Sequence, residues 1–228
     1  MKWATVALCF LSLFVLGYIR AEENNPFSDF ISAGLERPNV ISLEGQWHFR
    51  EDPQDLGEKG NWQKPGTVRG RIGEVPLPWQ LAFFEDLHDY TGVGWYETEV
   101  SVPASFAGMR IILASHGISN DVKAWVNGIF AGEALDVQQS PVLLDITAQI
   151  KPGETNTLTL RVSDPPGGFL GSWTANRASG LWKEIWIEAT GKTFISDLFM
   201  NPDIDQSKVQ ARITLHRDVR SIGTSPMV

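Results

Sequence analysis

Val122-Lys123-Ala124-Trp125-Val126-Asn127-Gly128-Ile129-Phe130-Ala131 sets an Asn-Gly pair between two apolar runs. Both residues of that pair tolerate positive φ, which makes it the strongest short-range signal for a β-hairpin. Strand patterns surround it. In Trp95–Val102, Tyr96, Thr98, Val100 and Val102 alternate with Glu97, Glu99 and Ser101; Leu158, Leu160 and Val162 alternate with Thr157, Thr159 and Arg161; Ile185 and Ile187 alternate with Trp186 and Glu188. A period of two with β-branched and aromatic residues marks half-buried strands, and Glu97 and Glu99 fall on the face expected to meet solvent. Met109–Ala114 is apolar apart from Arg110, as a central strand would be. Lys151-Pro152-Gly153 closes another connection, and no helical period longer than about two turns follows residue 40. Many short strands with frequent turns predict an all-β fold, a jelly-roll β-sandwich.

The N-terminus reads differently. Lys2 precedes an apolar run from Trp3 to Tyr18, and Arg20-Ala21-Glu22-Glu23 then turns polar. This is the order of a secretory signal peptide over residues 1–21, with an uncleaved signal anchor as the alternative; the run is shorter than the roughly 20 residues a membrane span needs. The expected location is therefore secreted, extracellular or periplasmic. The single cysteine, Cys9, lies inside that segment, so the exported chain must fold on its apolar core without disulfides. The chain is acidic, with 19 basic against 27 acidic residues, and losing Lys2 and Arg20 makes it more so. Such a surface repels nucleic acid and anionic membranes. The four histidines show no metal-ligand spacing, and no nucleophile elbow, phosphate loop or dinucleotide fingerprint occurs, so neither cofactor nor metal is expected.

Seven segments, in order, carry a resemblance. They are Ser42–Phe49, Val75–Gln80, Tyr90–Tyr96, Val122–Gly128, Leu144–Thr147, Asn156–Val162 and Gly180–Glu188. Together they resemble the N-terminal sugar-binding jelly roll of the family 2 glycoside hydrolases, relatives of β-galactosidase, β-glucuronidase and β-mannosidase. Phe194–Leu215 resembles the first two strands of the immunoglobulin-like domain that follows in that family. The resulting division is a signal peptide (1–21), a lead-in (22–39), the jelly roll (40–190), a partial immunoglobulin-like domain (193–215) and an unassigned tail (216–228).

The resemblance implies an accessory domain of a retaining hydrolase of O-glycosyl bonds, whose two glutamates sit on a separate (β/α)₈ barrel. A barrel of about 250 residues does not fit after this domain, so the chain alone is expected to be inactive, with catalytic residues none. Expected partners are carbohydrate and the immunoglobulin-like and barrel domains of the parent enzyme. A free-standing lectin-like module and a folded remnant without ligand are the alternatives. The long segment Asp164–Ser179, rich in Pro and Gly, is where the family reaches toward the barrel mouth. Its candidate sugar contacts are Trp173, Thr174, Asn176 and Arg177. Trp173 could stack on a sugar ring or anchor the loop; Arg177 could bind a carboxylate or pair at the surface. Thr174 stands where galactosidases and glucuronidases carry an acidic residue, which argues against those two sugars. Trp47, Trp95, Trp125 and Trp186 are expected in core or inter-domain packing, Trp79 and Trp182 at an interface with other domains. Asp164 is expected to cap a turn before Pro165.

Overall fold

The computed structural model describes residues 39–137, 140–164 and 178–217. Residues 1–38, where the signal peptide and most of the lead-in are expected, and 218–228 lie outside the described residues. From Asn39 the chain builds two antiparallel sheets packed face to face. One has four strands in the order β1 (Val40–Ser42), β12 (Ile185–Thr190), β5 (Arg110–Ser115), β9 (Val142–Asp145). The other has six, in the order β3 (Arg71–Val75), β2 (Gly45–Asp52), β4 (Gly92–Ser101), β10 (Thr155–Asp164), β7 (Asp121–Val126), β8 (Ile129–Ala134). The apolar run predicted to be central, Met109–Ala114, is indeed flanked on both sides, by β12 and β9.

The alternating residues meet between the sheets. Trp47, Phe49, Tyr96, Ile111, Leu113, Val122, Leu158, Leu160, Ile185 and Ile187 are all buried in one cluster. Among the aromatics there, Phe49 packs on Tyr96 at 4.9 Å and on Phe83 at 5.0 Å. The Asn127-Gly128 turn forms as predicted, with φ of 54° and 79°, and its Asn127 Oδ1 accepts the Thr157 N–H at 3.0 Å. Asp145-Ile146-Thr147 also has a local cause. The Asp145 carboxylate accepts from the Thr147 hydroxyl at 2.6 Å and from Arg110 at 3.0 Å, while the Thr147 oxygen accepts the Ile111 N–H at 2.8 Å.

Two expectations change, for Glu97 and Trp79. The Glu97 face of β4 is only partly solvated: Glu97 is buried and both carboxylate oxygens accept the Gly66 N–H, at 3.0 and 3.2 Å, while Glu99 and Ser101 are exposed. The segment between β2 and β3 folds across this face, and Val68, Val93, Trp95 and Trp125 form a second apolar cluster there with Trp62 against it. Trp79 is fully buried within this domain, on α1 (Trp79–Ala82), which is followed by α2 (Phe84–Leu87). Trp186 sits only half-buried on the outer face of the four-stranded sheet, edge-on to His116 at 4.7 Å.

Two further pairs complete the described chain. β6 (Ile118–Ser119) pairs with β11 (Gly180–Leu181), and β13 (Thr193–Asp203) pairs with β14 (Lys208–Arg217) as a long hairpin after the sandwich.

Candidate functional site

The candidate sugar contacts Trp173, Thr174, Asn176 and Arg177 lie outside the described residues. What the structure does describe is the lip from which their segment departs and to which it returns. Asp164 ends β10, and Ser179 immediately precedes β11. The Ser179 hydroxyl donates to the Asp164 carboxylate, and the Asn120 amide donates to its other oxygen at 3.4 Å. Gln80 closes the cluster from the helical side: its Nε2 donates to Ser179 Oγ at 2.7 Å, and its Oε1 accepts the Ser179 N–H at 3.1 Å. All four side chains are buried. A buried polar group is costly unless it is hydrogen-bonded, so this network fixes a specific arrangement of the two chain ends. The described bonds of Asp164 thus run across the segment to Ser179, while any turn beyond Pro165 lies outside the described residues.

Backbone contacts bring separate sequence segments to the same place. The Leu77 N–H donates to Leu181 O at 2.9 Å and the Trp79 N–H to Ser179 O at 3.1 Å, joining Val75–Gln80 to the closing segment. Asn120 N–H donates to Ser163 O at 2.6 Å, and Trp79 Nε1 and Gln80 Nε2 both reach Tyr90 O, at 3.2 and 3.3 Å. The peptide bonds Val75-Pro76 and Ser119-Asn120 are cis. Gly180 crosses directly over the rings of Tyr96 and Trp79 with φ of +90°, leaving no room for a side chain. Burial pushes the Tyr96 hydroxyl up despite the nearby Leu181 backbone N–H. Tyr90, which donates to Val93 O at 2.7 Å, is pushed up to about 12, again mainly by burial.

Among the described residues, the lip positions the two ends of the segment. Retaining hydrolysis needs two carboxyl groups about 5–5.5 Å apart across the scissile bond. Glu97, one of the two buried carboxylates on the six-stranded sheet's outer face, is committed to the Gly66 N–H, and the other, Asp52, accepts from Leu56 N, Gly57 N and Trp95 Nε1. Glu184, held below the ordinary carboxylate range chiefly by its hydrogen bond from His116, lies fully at the surface. Among the described residues no group of three or more His, Cys, Asp or Glu could hold a metal ion. A cleft of about 1060 Å³ lies elsewhere, at the base of the β13–β14 hairpin, lined by Phe106, Arg110, Thr147, Phe194 and Arg217 among others.

Comparison with known proteins converges on one group. Residues 57–165 match the family described as the β-galactosidase second all-beta domain. A β-galactosidase of Leuconostoc mesenteroides is 26% identical over 201 residues, covering 76% of this chain and 19% of that protein. A β-glucuronidase of Paenibacillus borealis is 28% identical over 144 residues, covering 56% of this chain and 23% of that protein. By these matches the chain is similar to an accessory β-sandwich domain of the family 2 glycoside hydrolases. It spans about a fifth of the length of these curated relatives. The apo β-glucuronidase of Ruminococcus gnavus shares its fold, with a TM-score of 0.69 at 24% identity over 78% of this chain and 34% of that one. The likeness to that enzyme is one of fold.

Sequence reasoning located the segment Asp164–Ser179 but missed its anchor. Gln80, Asn120 and Ser179 carry no local signal, because Gln80 and Ser179 lie 99 residues apart. Gln80 follows Trp79 on α1, where its buried amide bonds Ser179 through both its nitrogen and its oxygen.

Proposed function

We propose that this domain is the exported, non-catalytic part of a retaining glycoside hydrolase, and that its 165–177 segment contributes to a carbohydrate pocket completed by other domains. The observation that carries the reading is the buried Asp164–Ser179–Gln80–Asn120 network, which ties both ends of that segment to the rigid sandwich. Sites held on rigid elements lose less binding free energy to ordering than free loops do. In this reading Trp173 stacks on a sugar face, and Asn176 and Arg177 bind hydroxyls or a carboxylate. Thr174 offers a neutral hydroxyl, which disfavours galactose and glucuronic acid relative to other pyranosides. Hydrolysis itself belongs to a pair of glutamates on the parent's barrel, a placement supported by the small share of the relatives' length that this chain spans.

Titration of the purified chain with a panel of monosaccharides and β-linked oligosaccharides, followed by NMR at the tryptophan indole resonances, tests the binding. Weak saturable binding is expected, lost in Trp173→Ala with thermal stability unchanged. No binding at millimolar sugar would sink the sugar-contact assignment. Export is tested separately, by N-terminal sequencing of the secreted protein: a start at Glu22 supports cleavage after Ala21, and retention of Met1 in the membrane fraction refutes it.

A further inference from the structure

The cleft of about 1060 Å³ at the base of the β13–β14 hairpin differs in charge from the chain around it. The sequence carries 19 basic against 27 acidic residues, yet Arg110, Lys192, His216 and Arg217 line this cleft against a single acid, Asp145. That acid is already engaged. Its carboxylate accepts from the Thr147 hydroxyl and N–H, at 2.6 and 3.1 Å, and from Arg110 Nε at 3.0 Å. Arg110 meets Asp145 through Nε alone, so the donors of both its Nη groups carry no hydrogen bond to a described residue. The guanidinium lies over the Phe194 ring at 4.1 Å, which holds it from one side. The His216 ring is 5.2 Å from that of Phe194, its cross-strand partner. Among the described residues, neither His216 nor Arg217 makes an ion pair.

Two features of position set the cleft apart. It lies at the end of the sandwich opposite the lip. Pro152, which lines it, precedes β10, whereas Asp164 at the lip closes that strand, about 30 Å further on at the usual rise per residue. Its hairpin wall is also the less apolar of two faces. Cross-strand parity puts Phe194 and His216 on one side of the hairpin and Ile195 and Leu215 on the other. The apolar side is the one that further strands of an immunoglobulin-like domain would cover, because two strands cannot shield it alone. The cleft opens on the opposite side.

We propose that this cleft binds an organic oxyanion, a carboxylate or sulfate carried on a body of sugar size. The Nη groups of Arg110, with His216 and Arg217, supply donors whose hydrogen bonds to an anion are strengthened by charge. The volume is that of a site for a whole small molecule and far exceeds what a bare ion fills. Because the chain as a whole is acidic, attraction is confined to the cleft itself and falls with added salt. The site is independent of the sugar contact assigned to the 165–177 segment.

NMR titration of the 228-residue chain with glucuronate, glucose and inorganic sulfate tests this, followed at the Thr147, Phe194 and His216 amides in low salt. Saturable shifts are expected with glucuronate and none with glucose, which differs from it only by lacking the carboxylate. Sulfate is expected to bind about tenfold more weakly or worse, since it lacks the body that fills the cleft. His216→Gln/Arg217→Gln should weaken glucuronate binding by about tenfold or more, with the melting temperature unchanged because both side chains are exposed. Lys208→Gln removes a cation from the far end of the same hairpin and should leave binding as it is. The proposal is overturned if glucuronate fails to saturate at tens of millimolar, or if glucose shifts the same amides equally. It is also overturned if sulfate binds as tightly as glucuronate, or if Lys208→Gln costs as much as the double variant.

Discussion

Gly180→Ala should unfasten the lip, and its cost can be worked from the site. At φ of +90° an L-residue is strained by about 1–2 kcal/mol relative to glycine. The added methyl would also stand 3.0 Å from Trp79 Cε3 and well inside contact of the Tyr96 hydroxyl. Both rings are almost wholly buried, at 0% and 3% exposure, so neither can move aside freely. Overpacking of that kind costs about 1–3 kcal/mol. The sum is roughly 3 kcal/mol, which at a urea m-value of about 2 kcal/mol/M lowers the unfolding midpoint by about 1.5 M. Tyr96→Phe separates the two contributions. The Tyr96 hydroxyl makes no hydrogen bond of ordinary geometry, so that change alone should be within about 1 kcal/mol of neutral. In Gly180→Ala/Tyr96→Phe it should recover about 1 kcal/mol or more, a non-additivity expected of groups in direct contact. Urea denaturation of the four proteins, monitored by tryptophan fluorescence, gives the cycle. A Gly180→Ala midpoint within about 0.25 M of wild type, or strict additivity, would refute the argument that Gly180 is required by its place over the two rings.

Asn127→Ala should destabilise by about 1–2 kcal/mol, because it leaves the Thr157 N–H without its partner and puts alanine at a φ of 54°; Asn127→Gly should cost less, and denaturant titration ranks them. Stability should fall as pH rises from about 10 to 12. Tyr90, pushed up to about 12, and the raised Tyr96 stay protonated in the fold while the unfolded chain releases protons near pH 10. Melting temperatures across that range should drop less steeply in Tyr90→Phe/Tyr96→Phe. At the acid end, burial opposes ionisation of Asp145, but hydrogen bonds from Thr147 and the charge and hydrogen bond of Arg110 outweigh it and hold the carboxyl below its ordinary value. That contribution is present above about pH 4 and is lost as pH falls through the folded value, so the stabilities of wild type and Asp145→Asn should converge at low pH.

Much of the sandwich was legible because its determinants are local. Asn127-Gly128 specifies a hairpin through its own backbone preferences, and the Ile185–Thr190 alternation specifies which side chains enter the core. Glu97 was misread for the opposite reason. Its alternation is that of a half-exposed strand, and its burial comes from the segment between Asp52 and Arg71, which has no period to announce that it covers a sheet face. Trp186 follows the alternation: parity with Ile185 and Ile187 puts it on the outer face, half-buried beside His116. The lip was only half legible. Asp164 stood out by its place before two prolines, whereas Gln80 and Ser179 gain their roles from a pairing across 99 residues that only the fold creates.

The claim that this domain supports a hydrolase without being one is tested most directly by assaying the purified chain against a panel of 4-nitrophenyl glycosides. The account predicts no release of nitrophenol above buffer for any sugar in the panel. Turnover that co-purifies with the chain and disappears in Glu97→Gln would contradict it, because it would show a buried carboxylate assigned to holding Gly66 acting on substrate instead.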